Sequence, residues 1–200
     1  MPIAPEFMFT DEIEKQHAVV MQFVGLQGSI HSVRDCEFYF RRYPFAGLPV
    51  SRQDHLTNVC EMFFSRFYEF EERLARYLNT VAAAAPGHNI DIGKFIKVYK
   101  KTFETELRAR HSVNHTERFS ELEVRRLWLA EMTLEDHPDR VALVKSEYRR
   151  VSGVWAKRVR KRVSHLEKLL EAVAQVTLDL CPFLSASAAR DTGAQLDRLA

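Results

Sequence analysis

The chain has 200 residues, with 29 Lys and Arg against 27 Asp and Glu, so its formal net charge is +2. A balance this even excludes a strongly basic protein that coats nucleic acid and a protein with a long acidic tail, while it leaves room for a local basic patch. Apolar residues make up 46% of the chain, which is enough for a folded core. The seven glycines and seven prolines are too few for an all-β fold full of tight turns.

Cysteine content and the length of apolar runs indicate the compartment. Cys36, Cys60 and Cys181 form no Cys-x-x-Cys motif, which excludes a disulfide framework and a cysteine-rich zinc site and suits a reducing cytosol. No apolar run reaches ~18 residues, so we expect no transmembrane helix, no membrane partner and a cytoplasmic protein. Residues 1–9 lack the pattern of a secretory signal and are expected to be disordered or an added extension.

The first half of the chain predicts two long helices. Thr10 is a favourable N-cap followed by an acidic turn, and the first helix is predicted over 10–42, where Tyr43 and Pro44 end it. The second helix is predicted over 51–85, because its apolar residues recur at spacings of three and four.

Three further helices are predicted in the second half. A continuous third helix is expected over 91–115, a fourth over 121–134 and a fifth over 138–180, with Pro138 in its first turn. Long helices joined by short loops indicate an all-α, up-and-down bundle of about five helices with a long C-terminal helix. We expect a single domain over 10–184 and a loose tail over 185–200.

The end of the third helix carries the most informative polar residues. At about 100° per residue, Arg110 and Asn114 continue the direction of the apolar stripe that runs through Phe103 and Leu107. An unpaired arginine facing the core would be costly, so the position favours a polar cleft, a partner chain or an anionic ligand. The alternative is an arginine that reaches past the end of the bundle or pairs with a carboxylate.

The segment Arg110-His111-Ser112-Val113-Asn114-His115 resembles the signature of the HEPN superfamily. That signature is an arginine, a polar residue directly after it, and a histidine four to six residues beyond. The resemblance implies a helical bundle and, in many members, a metal-independent endoribonuclease that dimerises to bring two Arg/His sets together. It further implies that Arg110 and His115 carry the activity with His111 as the accompanying catalytic residue, and Asn114 is a further auxiliary candidate.

The resemblance also implies partners and a biological setting. Such proteins occur in toxin–antitoxin, abortive-infection and antiviral defence systems, so we expect RNA, a second copy of the chain and an antitoxin or regulatory protein as partners. No cofactor is expected. Because the polar motif ends an apolar stripe, the two-fold axis of a homodimer is expected near the third and fourth helices.

The residue types suit RNA cleavage without a metal ion. The reaction needs a base for the 2′-hydroxyl, an acid for the leaving oxygen and positive charge on the phosphate. Histidine can act as base or acid near neutral pH, and arginine holds phosphate with two hydrogen bonds while staying charged.

Other interpretations use the same residues. His111 and His115 have the spacing of a zinc-binding pair, but no glutamate follows His111 and no third ligand is indicated, so we expect no metal site. Arg160 and His165 repeat the Arg/His spacing, but Lys161 follows the arginine. A non-catalytic helical module that binds a nucleotide, RNA or a protein through the same cleft is the alternative function.

A basic segment on the fifth helix is the second candidate site. Its five basic residues are Lys157, Arg158, Arg160, Lys161 and Arg162. They are predicted to bind an RNA backbone, and the alternative is a solvated helix face.

Overall fold

The computed structural model describes residues 10–43, 50–115, 118–134 and 137–184, and this part of the chain is helical without a strand. Its six α-helices are α1 (Asp11–Arg41), α2 (Arg52–Ala84), α3 (Ile92–Thr102), α4 (Glu104–His115), α5 (Leu122–Met132) and α6 (Val141–Leu180). Two 3₁₀ turns, Pro138–Arg140 and Pro182–Leu184, flank α6. The predicted all-α bundle with a long C-terminal helix is confirmed. The expected N-terminal extension and C-terminal tail lie outside the described residues.

Short polar side chains begin three of these helices. The side chains of Thr10, Ser51 and Asp91 accept hydrogen bonds from the backbone N–H groups at the starts of α1, α2 and α3. Each bond satisfies a backbone donor that has no partner inside the helix, which is why these residue types stabilise a helix start. The local sequence therefore places these three helix starts.

An aromatic cluster around Trp155 on α6 forms the middle of the core. The Trp155 ring stacks on Phe40 of α1 with centroids 5.3 Å apart and meets Phe63 and Phe64 of α2 edge-on. All four side chains are almost fully buried. Aromatic pairs in these orientations contribute beyond their buried area, so the cluster joins α1, α2 and α6 into one core.

The predicted third helix is two helices, which raises the count from about five to six. Phe103 ends α3 with φ −114° and ψ 24°, and α4 begins at the next residue. The Thr102 hydroxyl donates to the Val98 carbonyl one turn earlier, a type of bond that bends helices. Phe103, the residue at the break, is fully buried.

Tyr99 holds α3 against α2 and provides a test of this packing. Its hydroxyl donates to the Phe67 carbonyl at 2.6 Å, and its ring stacks on Phe70. Burial raises the pKa of Tyr99 far above its usual value, so the hydroxyl remains a donor.

We predict that Tyr99→Phe lowers the free energy of unfolding by about 1 kcal/mol, because one buried hydrogen bond is removed while the ring stays in place. Urea denaturation would measure the change. The control is Tyr39→Phe, since Tyr39 is 44% exposed. Equal losses of stability in the two variants would contradict the account.

Candidate functional site

Arg110 lies at the surface between α4 and α2. It is half-buried, and its guanidinium carbon lies 3.9 Å from the centroid of the Tyr68 ring, which is 37% exposed. This distance is typical of a cation–π contact. Arg110 lies on the side of α4 that carries Leu107 and contacts α2, the helix against which α4 mainly packs.

Carboxylates surround the stacked pair. A hydrogen bond to Glu72 raises the pKa of Tyr68, and the positive charge of Arg110 opposes this shift only in part. The neighbouring Glu71 forms an ion pair with Lys100 at 3.0 Å. The stack therefore lies in a mixed-charge environment. A guanidinium held by its face directs its N–H groups sideways, the geometry in which arginine grips a phosphate or carboxylate.

The remaining motif residues follow on the last turns of α4. His111 is exposed, and His115 is the last residue of the helix. The side chains of Asn114 and His115 lie outside the described part of the structure. Residues 110 and 115 are separated by about 7.5 Å along the helix axis and by about 140° around it.

The inward polar residue of α4 is Glu106, one turn before Arg110. Its side chain is fully buried, yet it carries a carboxylate. Arg162 of α6 meets both oxygens, with Nε 2.9 Å from Oε1 and Nη2 2.9 Å from Oε2. Arg158 approaches the same carboxylate at 3.5 Å. A buried charge is tolerated only when it is paired, so this contact joins α4 to α6.

Two residues of the predicted RNA-binding segment are thereby turned inward. The Arg158 guanidinium lies 4.6 Å from the Trp155 ring centroid, and that of Arg162 lies 5.7 Å from the Phe103 ring. Arg158 also approaches Glu121 at 3.7 Å. These contacts show that the two arginines hold the bundle together.

The other three basic residues of the segment face outward. Lys157 and Lys161 are exposed. Arg160 is exposed as well, and its Nε lies 3.6 Å from Glu37 of α1. The segment is therefore divided into inward and outward residues.

The two sets of candidate residues lie on different helices. The catalytic candidates Arg110, His111 and His115 share the end of α4, whereas the RNA-binding candidates Lys157 and Lys161 lie on α6. Sequence reasoning missed Glu106 and Tyr68. Arg158 and Arg162 stand four residues apart on one helical face, and this spacing was the signal that could have suggested a shared carboxylate.

The buried cysteines supply no reactive thiolate. Burial raises the pKa of Cys36 to about 12 and that of Cys60 well above its usual value. Both thiols therefore stay protonated at neutral pH, and a protonated thiol is a poor nucleophile.

No family model, curated protein or solved structure matches the chain. Among the side chains that the structure describes, no group of three or more His, Cys, Asp and Glu residues is placed to hold a metal ion. Within the same residues, no helix combines the length and apolar character needed to cross a membrane.

We predict that Glu106→Gln lowers the free energy of unfolding by about 3 kcal/mol, because two arginines lose a buried partner. This value is the lower end of the range for removing one partner of a buried ion pair, because the side chains of Arg158 and Arg162 are 28% and 21% exposed. The control is Glu104→Gln, which breaks an exposed pair with Arg108 and should cost less than about 1 kcal/mol. Similar losses of stability in chemical denaturation would contradict the assignment.

Proposed function

We propose that the chain is a metal-independent endoribonuclease of the HEPN type, with Arg110, His111 and His115 as the reactive set on the end of α4. The observation that carries the proposal is the surface position of Arg110, stacked on Tyr68 and followed by the exposed His111. The fold is also the helical bundle that the resemblance implies. A role in toxin–antitoxin or antiviral defence, with an antitoxin or regulator as partner, follows from the resemblance alone.

The proposed reaction is an internal transfer of the phosphate ester. One histidine removes the proton of the 2′-hydroxyl, whose oxygen attacks the neighbouring phosphorus while the bond to the 5′-oxygen breaks. A second histidine gives a proton to the 5′-oxygen, and the products are a 2′,3′-cyclic phosphate and a free 5′-hydroxyl. Arg110 stabilises the charge that develops on the phosphate.

In this proposal His115 and His111 are the two proton-transfer groups. By the resemblance, a second copy would contribute its own set to a composite site in a homodimer. Such a site would require the α4 ends of two copies to meet.

A non-catalytic binding module is the second candidate function. Glu71 and Glu72 lie beside the Arg110–Tyr68 stack and reduce its attraction for phosphate. This observation favours a module that binds a nucleotide base or a protein surface through the same stack.

We predict RNA cleavage by the wild-type protein in the presence of EDTA, and a loss of about 10²–10⁴ in rate for His115→Ala, because a proton-transfer group is removed. Arg110→Ala should lower the rate at least as much, because the phosphate loses its fixed charge. Cleavage of a labelled RNA under single-turnover conditions would measure both effects.

The matched controls are Arg160→Ala and His165→Ala, which share the spacing but lie on α6. Circular dichroism would verify that all four variants stay folded. Equal loss of rate in the controls, or no cleavage by the wild type, would contradict the endoribonuclease. Retained RNA binding without cleavage would support the binding module.

The divided basic segment gives a separate prediction about RNA affinity. We expect Lys157→Gln with Lys161→Gln to weaken RNA binding and to reduce its salt dependence by about 0.7 in slope for each phosphate group that the protein no longer neutralises. We expect Arg158→Gln with Arg162→Gln to lower protein stability instead. Unchanged affinity and slope in the lysine variant would show that this face does not touch RNA.

A further inference from the structure

A cleft between the start of α2 and the outer side of α5 has the lining of a ligand site. Its volume is about 420 Å³, which lies within the range of pockets that hold small molecules. Such pockets combine an apolar lining with a few polar groups that orient the ligand. Both kinds of side chain line this cleft, among them the apolar Phe119, Val124 and Trp128 and the polar Gln53, Ser120 and Arg125.

Trp128 offers an aromatic surface for stacking. The residue is 47% exposed, and among the described residues no other ring or cation lies against its indole. The second tryptophan of the chain, Trp155, is instead buried between phenylalanine rings of the core. The indole of Trp128 is therefore accessible to a flat aromatic ligand.

Arg125 supplies a positive charge beside this indole. It stands three residues before Trp128 on the same side of α5, and its Nε donates to the Ser120 hydroxyl at 2.6 Å. This bond orients the guanidinium and leaves its two Nη groups for an anion.

The carboxylates around Arg125 already have cationic partners. Glu123 pairs with Arg150, Glu131 with Arg52, and Asp54 with Arg118. Within the part of the chain that the structure describes, Arg125 itself forms no ion pair with a carboxylate. The cleft therefore presents a net positive charge next to an aromatic wall.

The apolar floor of the cleft belongs to the core. The Phe119 ring packs against Phe64 with centroids 5.0 Å apart and against Trp155 with centroids 5.7 Å apart. Its backbone N–H donates to the Glu61 carboxylate at 3.1 Å, and Val124 is almost fully buried. A floor held in this way needs little ordering when a ligand binds.

We propose that this cleft binds a nucleobase together with the phosphate group attached to its sugar. The base stacks on Trp128, and the phosphate accepts hydrogen bonds from Arg125. The Gln53 amide carries both a donor and an acceptor, the combination that matches the edge of adenine. A free mononucleotide and one nucleotide of a single-stranded RNA present the same chemistry.

The cleft is a second site and goes beyond the proposed function. Gln53 and Tyr68 are 15 residues apart on α2, which separates them by about 22 Å along the helix axis. Among the side chains that the structure describes, none of the Arg110 motif lines the cleft. Nucleotide binding here is therefore independent of RNA cleavage at the end of α4.

Tryptophan fluorescence can report occupancy of the cleft. The chain has two tryptophans, and because Trp155 is buried, a ligand that stacks on Trp128 should quench the emission of Trp128 alone. AMP should quench the wild-type emission to saturation, and the effect should disappear in Trp128→Phe. A short oligoadenylate is the second probe, and both are used in the His115→Ala background so that cleavage plays no part.

The two probes distinguish the source of the ligand. Tighter binding of AMP would support a free nucleotide, and tighter binding of the oligoadenylate would support a strand of RNA. Quenching by neither would overturn the proposal. Quenching by a copolymer of glutamate and tyrosine alone would assign the cleft to a protein partner and would also overturn it.

Matched substitutions test the two contacts by calorimetry. Trp128→Ala should weaken AMP binding about fivefold or more, because the stacked base loses its platform. Arg125→Gln should weaken it about tenfold or more through the loss of a charged hydrogen bond, and should change the affinity for adenosine less than about twofold.

The control is Arg126→Gln, since Arg126 is the next residue, is 56% exposed and does not line the cleft. Trp128 and Arg125 are exposed as well, so thermal unfolding should show that all three variants stay folded. Equal weakening by Arg125→Gln and Arg126→Gln would overturn the proposal, as would equal losses for adenosine and AMP in Arg125→Gln.

Discussion

The buried ion pair between Glu106 and the arginines of α6 sets the position of α4, and the candidate site depends on it. Glu106 has no exposed surface, and Arg162 meets both of its oxygens at 2.9 Å. An unpaired carboxylate in this position would be strongly unfavourable, so the pair favours the placement of α4 in which the arginines reach Glu106, while α2 supplies most of the packing of α4. Arg110 follows one turn later and is thereby directed at Tyr68 on α2. The same contact that stabilises the bundle presents the motif at the surface.

The ion pair with Glu106 also shows that the basic segment on α6 is not a uniform surface for binding nucleic acid. A run of five cations suggests a nucleic-acid surface, yet Arg158 and Arg162 are directed at a carboxylate and at aromatic rings. Arginine suits this role because its planar group can form an ion pair and stack at once. Lys157 and Lys161 keep their charges in water, where long-range attraction for a phosphate backbone is possible.

The sequence was sufficient to predict the helical class, the long helices and several of their starts, because caps and apolar periodicity are local signals. It was insufficient for the break at Phe103, where neither glycine nor proline marks the end of α3. The partners Glu106 and Arg162 are 56 positions apart, and no local pattern connects them.

A double-mutant cycle on Glu106 and Arg162 tests the central claim most directly. The free energies of unfolding of Glu106→Gln, Arg162→Gln and the double variant would be compared with that of the wild type. If the buried pair holds α4 to α6, the double variant should lose about 1–3 kcal/mol less than the sum of the single losses. Additive losses within about 0.5 kcal/mol would show that the two side chains act independently and would contradict the account.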